Sequence, residues 1–345
     1  MTPEHLVDPA LRIGWKPFSY ERSVPSVRLR ALMPCEALSE AGYRTSIIPR
    51  DGTNDDYDVV VFQKAYRDDD IALARRFKAR GVAVVLDLCD NHFYNPEGDP
   101  TLAARADRLW RMVDLADVVT VSTPELADVL PGRLTVVVDD ALETWPAMSA
   151  WGRLRRVRRA HERVRRVRLV WFGNGGSDAP EFGIVHLGRL VPVLEELRRE
   201  LPIELTVISN SRSLFERHVA AADFPTHYVE WSQRSFARVF TRHDICLLPV
   251  ELNPFTVCKT NNRIRSSLLL GVPVVSSPLP RYKEFERWVL FDDWARHVRL
   301  YAEQRELAGR HVRDGRAYVL STYTSQRLVA QWAAALAEST RGAAA

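Results

Sequence analysis

The chain has 345 residues, 46% of them hydrophobic and 27% charged, with a formal net charge of +4. That much apolar side chain excludes an intrinsically disordered protein, and at roughly 100–200 residues per domain the length implies two domains. No apolar run approaches the ~20 residues that span a bilayer, and MTPEHLVDPALRIGW lacks the basic-then-apolar order of a signal peptide.

Cys35, Cys89, Cys246 and Cys258 lie far apart, in neither a zinc spacing nor a disulfide framework, so the expected setting is a reduced cytoplasm. The mild positive charge favours anionic partners. Of the 48 basic residues only Lys16, Lys64, Lys78, Lys259 and Lys283 are lysines. Arginine is the default cation here, and short arginine clusters carry correspondingly little weight.

Strand and helix periodicities alternate along the first half. Arg12–Trp15 reads as a strand and Ser26–Gly42 as a helix with Leu29, Leu32, Met33 and Leu38 on one face. Tyr43–Ile48 and Asp58–Phe62 are strands, the second a Val-rich run suited to a buried parallel sheet. Asp68–Arg80 is a helix whose first-turn acids favour its dipole, so its formal D-x-D needs no metal. Strands Val82–Leu88, Val118–Val121 and Leu134–Val138 alternate with helices Thr101–Leu115 and Pro124–Leu130. The pattern restarts at Arg168–Phe172, followed by helix Leu187–Leu201, strand Glu204–Ile208, helix Leu214–Ala221 and strand Tyr228–Glu230. Helix Phe236–Phe240, strand Ile245–Pro249, helix Val257–Leu270 and strand Val272–Ser276 complete it, and the remainder is mostly helical.

These repeats imply an α/β protein with two Rossmann-like, doubly wound domains and ligand sites outside the carboxyl ends of the strands. The expected boundaries are 1–150 for the first domain, 151–167 for a linker helix and 168–345 for the second, with the last helices crossing back to the first. Trp151–Arg168 carries nine arginines in 18 residues with an apolar stripe at helical spacing. It suits either a solvated connector or a seat on an anionic membrane at the inner face. No recognition fold or aromatic platform accompanies it, so nucleic acid is not expected.

Four segments fall at carboxyl ends of predicted strands. Gly173-Asn174-Gly175-Gly176-Ser177 lets backbone amides approach a phosphate, although it is not the GxGxxG fingerprint and equally suits a plain turn. Lys259, Asn262 and Arg263 fall in the first turns of the predicted helix Val257–Leu270. Lys259 and Arg263 are four apart and share a face, which with free amides makes a diphosphate site; the rival is a solvated helix surface. Asp87-Leu88-Cys89-Asp90-Asn91-His92 could orient an acceptor hydroxyl through Asp90 and polarise it through His92, or form a capped turn. Ser26-Val27-Arg28-Leu29-Arg30 puts two arginines two residues apart, so Arg28 is assigned to an acceptor and Arg30 to solvent.

The run K-x-x-N-R followed by SSLLLGVPVVSS resembles the carboxyl-terminal signature of GT-B nucleotide-sugar glycosyltransferases, and Gly271-Val272-Pro273-Val274-Val275 is similar to that of the retaining, family 4-like members. The resemblance continues through Trp171-Phe172-Gly173 and S-x-R-x-R. It implies metal-independent, retaining transfer of a sugar from a nucleoside-diphosphate donor to an acceptor hydroxyl, on a sugar, lipid-linked or small-molecule acceptor, with no bound cofactor. Lys259 and Arg263 would hold the diphosphate, and Asn253, Phe255 and Thr256 would lie against the donor sugar. Trp231 would meet the base and Glu284 the sugar, with core or structural roles as rivals. Ser266 stands where many retaining relatives carry a ribose-binding glutamate, which keeps an inactive scaffold open beside an epimerase on the same architecture.

Overall fold

A computed structural model describes residues 10–50, 56–145, 166–178 and 181–343. The predicted linker helix 151–167 lies outside the described residues except at its end, where Val167 opens a strand rather than closing a helix. The chain divides into two compact units. The first comprises Met1–Leu142, Cys258–Thr260 and Tyr323–Ala345, and the second Glu143–Val257 and Asn261–Thr322.

The first unit is built on strands β1 (Arg12–Pro17), β2 (Arg44–Ile47), β3 (Val59–Gln63), β4 (Ala83–Leu88), β5 (Val118–Val121) and β6 (Thr135–Val137). They form one parallel sheet in the order β2-β1-β3-β4-β5-β6. The central strands are buried along their whole length, which is why they read as unbroken apolar runs. Strand order reverses between β1 and β3, the point where such sheets open a crevice at their carboxyl ends. Trp15 on β1 meets Trp332 of the final helix, Ser325–Ala343, edge to face at 4.7 Å. Ala333, Ala335 and Leu336 of that helix join the same core. Gln331 and Arg327 pin the helix to Asp139 with bonds of 3.0 and 3.1 Å.

The segment predicted as one helix from Ser26 is helical from Pro25–Val27, passes through a π-turn at Arg28–Leu32 and continues as Met33–Glu40. Both arginines of the turn are buried, so the expectation that Arg30 meets solvent is corrected. Arg30 donates to Asp87 through Nη2 and through Nε at 3.3 Å, and to the Val138 carbonyl and Asp140 through Nη1. Thr120 Oγ1 supplies Asp87 with a further bond of 2.8 Å. A buried ion pair holds only when its remaining lone pairs and protons are matched in this way.

The second unit carries β7 (Val167–Phe172), the two-stranded hairpin β8 (Gly176–Asp178) and β9 (Glu181–Gly183), β10 (Ile203–Ser209), β11 (Thr226–Glu230), β12 (Ile245–Leu248), β13 (Val274–Ser276) and β14 (Leu290–Phe291). Its parallel sheet runs β11-β10-β7-β12-β13-β14, the doubly wound order with its reversal between β7 and β12. Helices Ile184–Leu197 and Trp294–Glu303 contribute to a core around Trp171, Val207 and Val275.

Candidate functional site

In the second unit the reversal point lies between the loop after β7 and the loop after β12. The loop after β7 is glycine-rich for packing reasons. Gly176 has φ +92°, and a Cβ there would strike the Phe182 carbonyl; one on Gly183, at φ +84°, would strike the Gly175 carbonyl. Three of the loop's amides are bonded within the unit. Gly173 N donates to Ile208 O at 3.1 Å, Gly175 N to Asn210 Oδ1 at 2.8 Å and Gly176 N to Asn174 Oδ1 at 3.0 Å. Arg263 stands at the same loop, where its Nη1 donates to Phe172 O at 3.5 Å. Its guanidinium lies 5.9 Å from the Trp171 ring centroid, and its Nη1 is 3.5 Å from where a Gly173 Cβ would stand.

The helix carrying Arg263 spans Asn262–Leu269, not Val257–Leu270. Asn253 Oδ1 accepts from the amides of Phe255 (2.9 Å) and Thr256 (2.8 Å), and Thr256 Oγ1 donates to Glu251 O at 2.6 Å. These local bonds compete with helix and hold 253–256 as a turn. Phe255 is buried and packs on Phe182 with centroids 4.9 Å apart. Asn262 accepts from Arg265. Glu284 accepts from Asn261 at 3.0 Å and from Tyr318 at 2.7 Å, so it anchors the residue before the Arg263 helix. Trp231 is half-buried at the end of β11, its amide bonded to Ser209 O at 2.8 Å.

Lys259 therefore lies before the helix, and the shared face with Arg263 is corrected. Cys258–Thr260 group with the first unit. Thr123 Oγ1 donates to Cys258 O at 3.3 Å, and Lys259 Nζ reaches Asp90 Oδ1 at 2.5 Å. The other Asp90 oxygen takes Lys64 Nζ at 2.6 Å. Lys64, not singled out in the sequence, follows β3 with φ +51°, a left-handed conformation that costs a non-glycine residue strain and is common at functional positions. Burial acts to raise the Asp90 carboxyl, but Lys259 and Lys64 outweigh it and hold the group well below the ordinary carboxylate range. Burial acts to lower Lys64, and Asp90 overrides it, raising the ammonium above its usual value.

His92 is lowered to about 3, by burial first and then by Lys64. Its Nδ1 is 2.5 Å from Tyr66 Oη, whose ionisation burial disfavours. The other ring nitrogen, Nε2, lies 3.9 Å from Asp90 Oδ2. Arg28 binds the carbonyls of Arg22 (2.7 Å) and Ser23 (3.0 Å) through Nη1, so it shapes the loop before its helix. All four cysteines are unbridged. Among the described residues no group of three or more His, Cys, Asp or Glu side chains is placed to hold a metal, and no helix is long and apolar enough to cross a membrane.

No family model matches the chain, and no curated protein does. Solved structures do match. A glycosyltransferase from Rickettsia africae ESF-5 superposes with a TM-score of 0.63 at 10% identity, over 97% of this chain and 99% of that one. The fold is GT-B. An α,α-trehalose 6-phosphate synthase from Burkholderia multivorans matches with a TM-score of 0.59 at 12% identity, over 97% and 100% of the two chains. A mutant of TarM from S. aureus, in complex with fondaparinux, α-GlcNAc-glycerol and UDP, matches with a TM-score of 0.55 at 9% identity, over 79% of this chain. This GT-B chain spans about half the length of TarM, 54% in that match.

Proposed function

We propose that the protein is a glycosyltransferase moving a sugar from a nucleoside-diphosphate donor to an acceptor hydroxyl, without a metal and with retention at the anomeric carbon. The observation that carries this reading is the Arg263 guanidinium at the Gly173 loop, on the carboxyl edge of β7 where the strand order of the second unit reverses. A forked, permanent cation at that point suits a diphosphate, and it would offset the charge that develops on the leaving group. The UDP bound by the TarM mutant makes a uridine nucleotide the first donor to test.

Asp90 is a weak general base, since two ammonium groups hold its carboxyl well below the ordinary carboxylate range. That favours a retaining route in which the leaving diphosphate takes the acceptor proton. Lys259 serves in this reading by fixing Asp90, and Arg263 serves as the diphosphate cation. A second reading, a nucleotide-binding protein without turnover, is favoured by Ser266 alone.

The test is thermal unfolding with UDP, GDP, ADP or TDP, with and without EDTA, followed by UDP release from UDP-sugars. Ligand at 100 times its Kd stabilises by about 2.7 kcal/mol. A rise with one nucleotide that survives EDTA, with turnover, supports metal-independent transfer; a rise without turnover supports the binding protein; no rise refutes both. Analysis of the product anomer decides retention.

A further inference from the structure

Resting on the transferase reading, we infer that the acceptor is a neutral carbohydrate, and that Gln63, Ser122 and Glu125 on the carboxyl edge of the first sheet recognise its hydroxyls. Buried polar side chains are almost always hydrogen-bonded, and each exception asks for an explanation. Among the described residues, eleven buried side-chain nitrogen or oxygen atoms have no hydrogen-bond partner, and five of them cluster at this edge. They are both amide atoms of Gln63, Ser122 Oγ, Glu125 Oε2 and Arg105 Nε. Gln63 is 0% exposed and Ser122 1%, so bulk water does not serve them.

Their placement is concerted. Gln63 ends β3 beside the reversal point, Ser122 follows β5, and Glu125 sits in the short helix Pro124–Ala127 just after it. β3 and β5 flank β4, whose end carries Asp90 and His92, so the groups span about 10 Å, close to one or two sugar rings.

The chemistry selects the ligand class. An amide offers donors and an acceptor, a hydroxyl offers both and a carboxylate only accepts, which is the mixture that sugar hydroxyls complement. An anionic group would need donors with surplus positive charge. Lys64 and Lys259 are both bound to Asp90 already, and Glu125 adds a carboxylate at the same edge. A phosphorylated acceptor would be repelled by Glu125, with Arg105 Nε the one cationic donor among these five atoms.

The test is saturation-transfer NMR on the full chain with methyl α-glucoside, methyl β-galactoside, N-acetylglucosamine and maltose, against glucose 6-phosphate. UDP binding and thermal unfolding are measured on the same samples. Transfer to at least one neutral sugar is expected, with none to glucose 6-phosphate, and a fall of about fivefold or more in Glu125→Gln and in Gln63→Met. Gln63→Met and Ser122→Ala remove unpartnered buried polar atoms, so both should raise Tm by about 2 °C or more while weakening sugar binding. A purely structural role would lower Tm and leave sugar binding alone.

Transfer to glucose 6-phosphate in preference, no transfer to any neutral sugar, or variants that bind sugar as the parent does would each overturn the inference. An intact UDP response with no sugar binding leaves the transferase reading standing. Sugar binding without any nucleotide response has the reverse meaning.

Discussion

Replacing Arg263 by alanine separates two cations that sequence spacing groups together. The Arg263 guanidinium lies against the Gly173 loop in the second unit, whereas the Lys259 ammonium is bound to Asp90 in the first. A charge-assisted hydrogen bond contributes about 1.5–3 kcal/mol. Arg263 is half-exposed, which trims its contact toward the lower part of that range. The expected result is UDP binding weakened by about 10- to 50-fold in Arg263→Ala, read by calorimetry. Arg263→Lys should fall between, keeping the charge and losing the fork. Lys259→Ala should leave the UDP Kd within about threefold, well under 1 kcal/mol, and lower the stability of the protein instead. A loss of UDP affinity in Lys259→Ala as large as in Arg263→Ala would refute the assignment of the ammonium to Asp90.

Breaking the Arg30–Asp87 pair by Asp87→Asn leaves a fully buried guanidinium with too few acceptors, and a loss of about 3–5 kcal/mol is expected in urea unfolding; a loss under 1 kcal/mol would contradict the burial. His92, lowered to about 3 by burial and Lys64, binds fewer protons folded than unfolded. Stability should therefore be intact above the unfolded histidine range near 6.5 and fall as pH drops below it, by about 2 kcal/mol at pH 5. His92→Phe should flatten that slope in unfolding curves collected from pH 7.5 to 5. The depressed Asp90 carboxyl adds a further loss that begins only below about pH 4, and Asp90→Asn should remove it. Gly176→Ala should disrupt the β8–β9 hairpin through the clash with Phe182 and reduce UDP binding without changing sugar binding to the first unit, measured on one sample.

Most of the architecture was legible because its signals are local. Val59–Gln63 and Ala83–Leu88 are buried on both faces, so they appear as continuous apolar runs, and Asp68–Ala79 begins with acids at its positive end. The Arg263 helix was misplaced because apolar spacing from Val257 onward fits a helix, and spacing does not report side chains that compete for the backbone. Asn253 and Thr256 take those bonds themselves and delay the helix to Asn262. The β8–β9 hairpin has only three residues in each strand, too few for alternation to declare itself, and its glycines read as a phosphate loop.

The site is harder to read than the fold because it depends on pairs far apart in the chain. Asp90 and Lys259 are separated by 169 positions and Arg30 and Asp87 by 57, and nothing local to either member marks the partner. Lys64 illustrates the limit from the other side. It is one of five lysines in an arginine-rich chain, and its only local anomaly is a backbone angle that residue identity does not betray, since left-handed positions ordinarily call for Gly, Asn or Asp. That strain is tolerable because the bond to Asp90 depends on it: the turn at φ +51° delivers the ammonium from the end of β3 to the end of the neighbouring β4. With Lys259 on the second oxygen, Asp90 becomes a fixed anion of low basicity. In the proposed transferase, the carboxyl edge of the first sheet would therefore bind and orient the acceptor, with its proton passing to the leaving diphosphate.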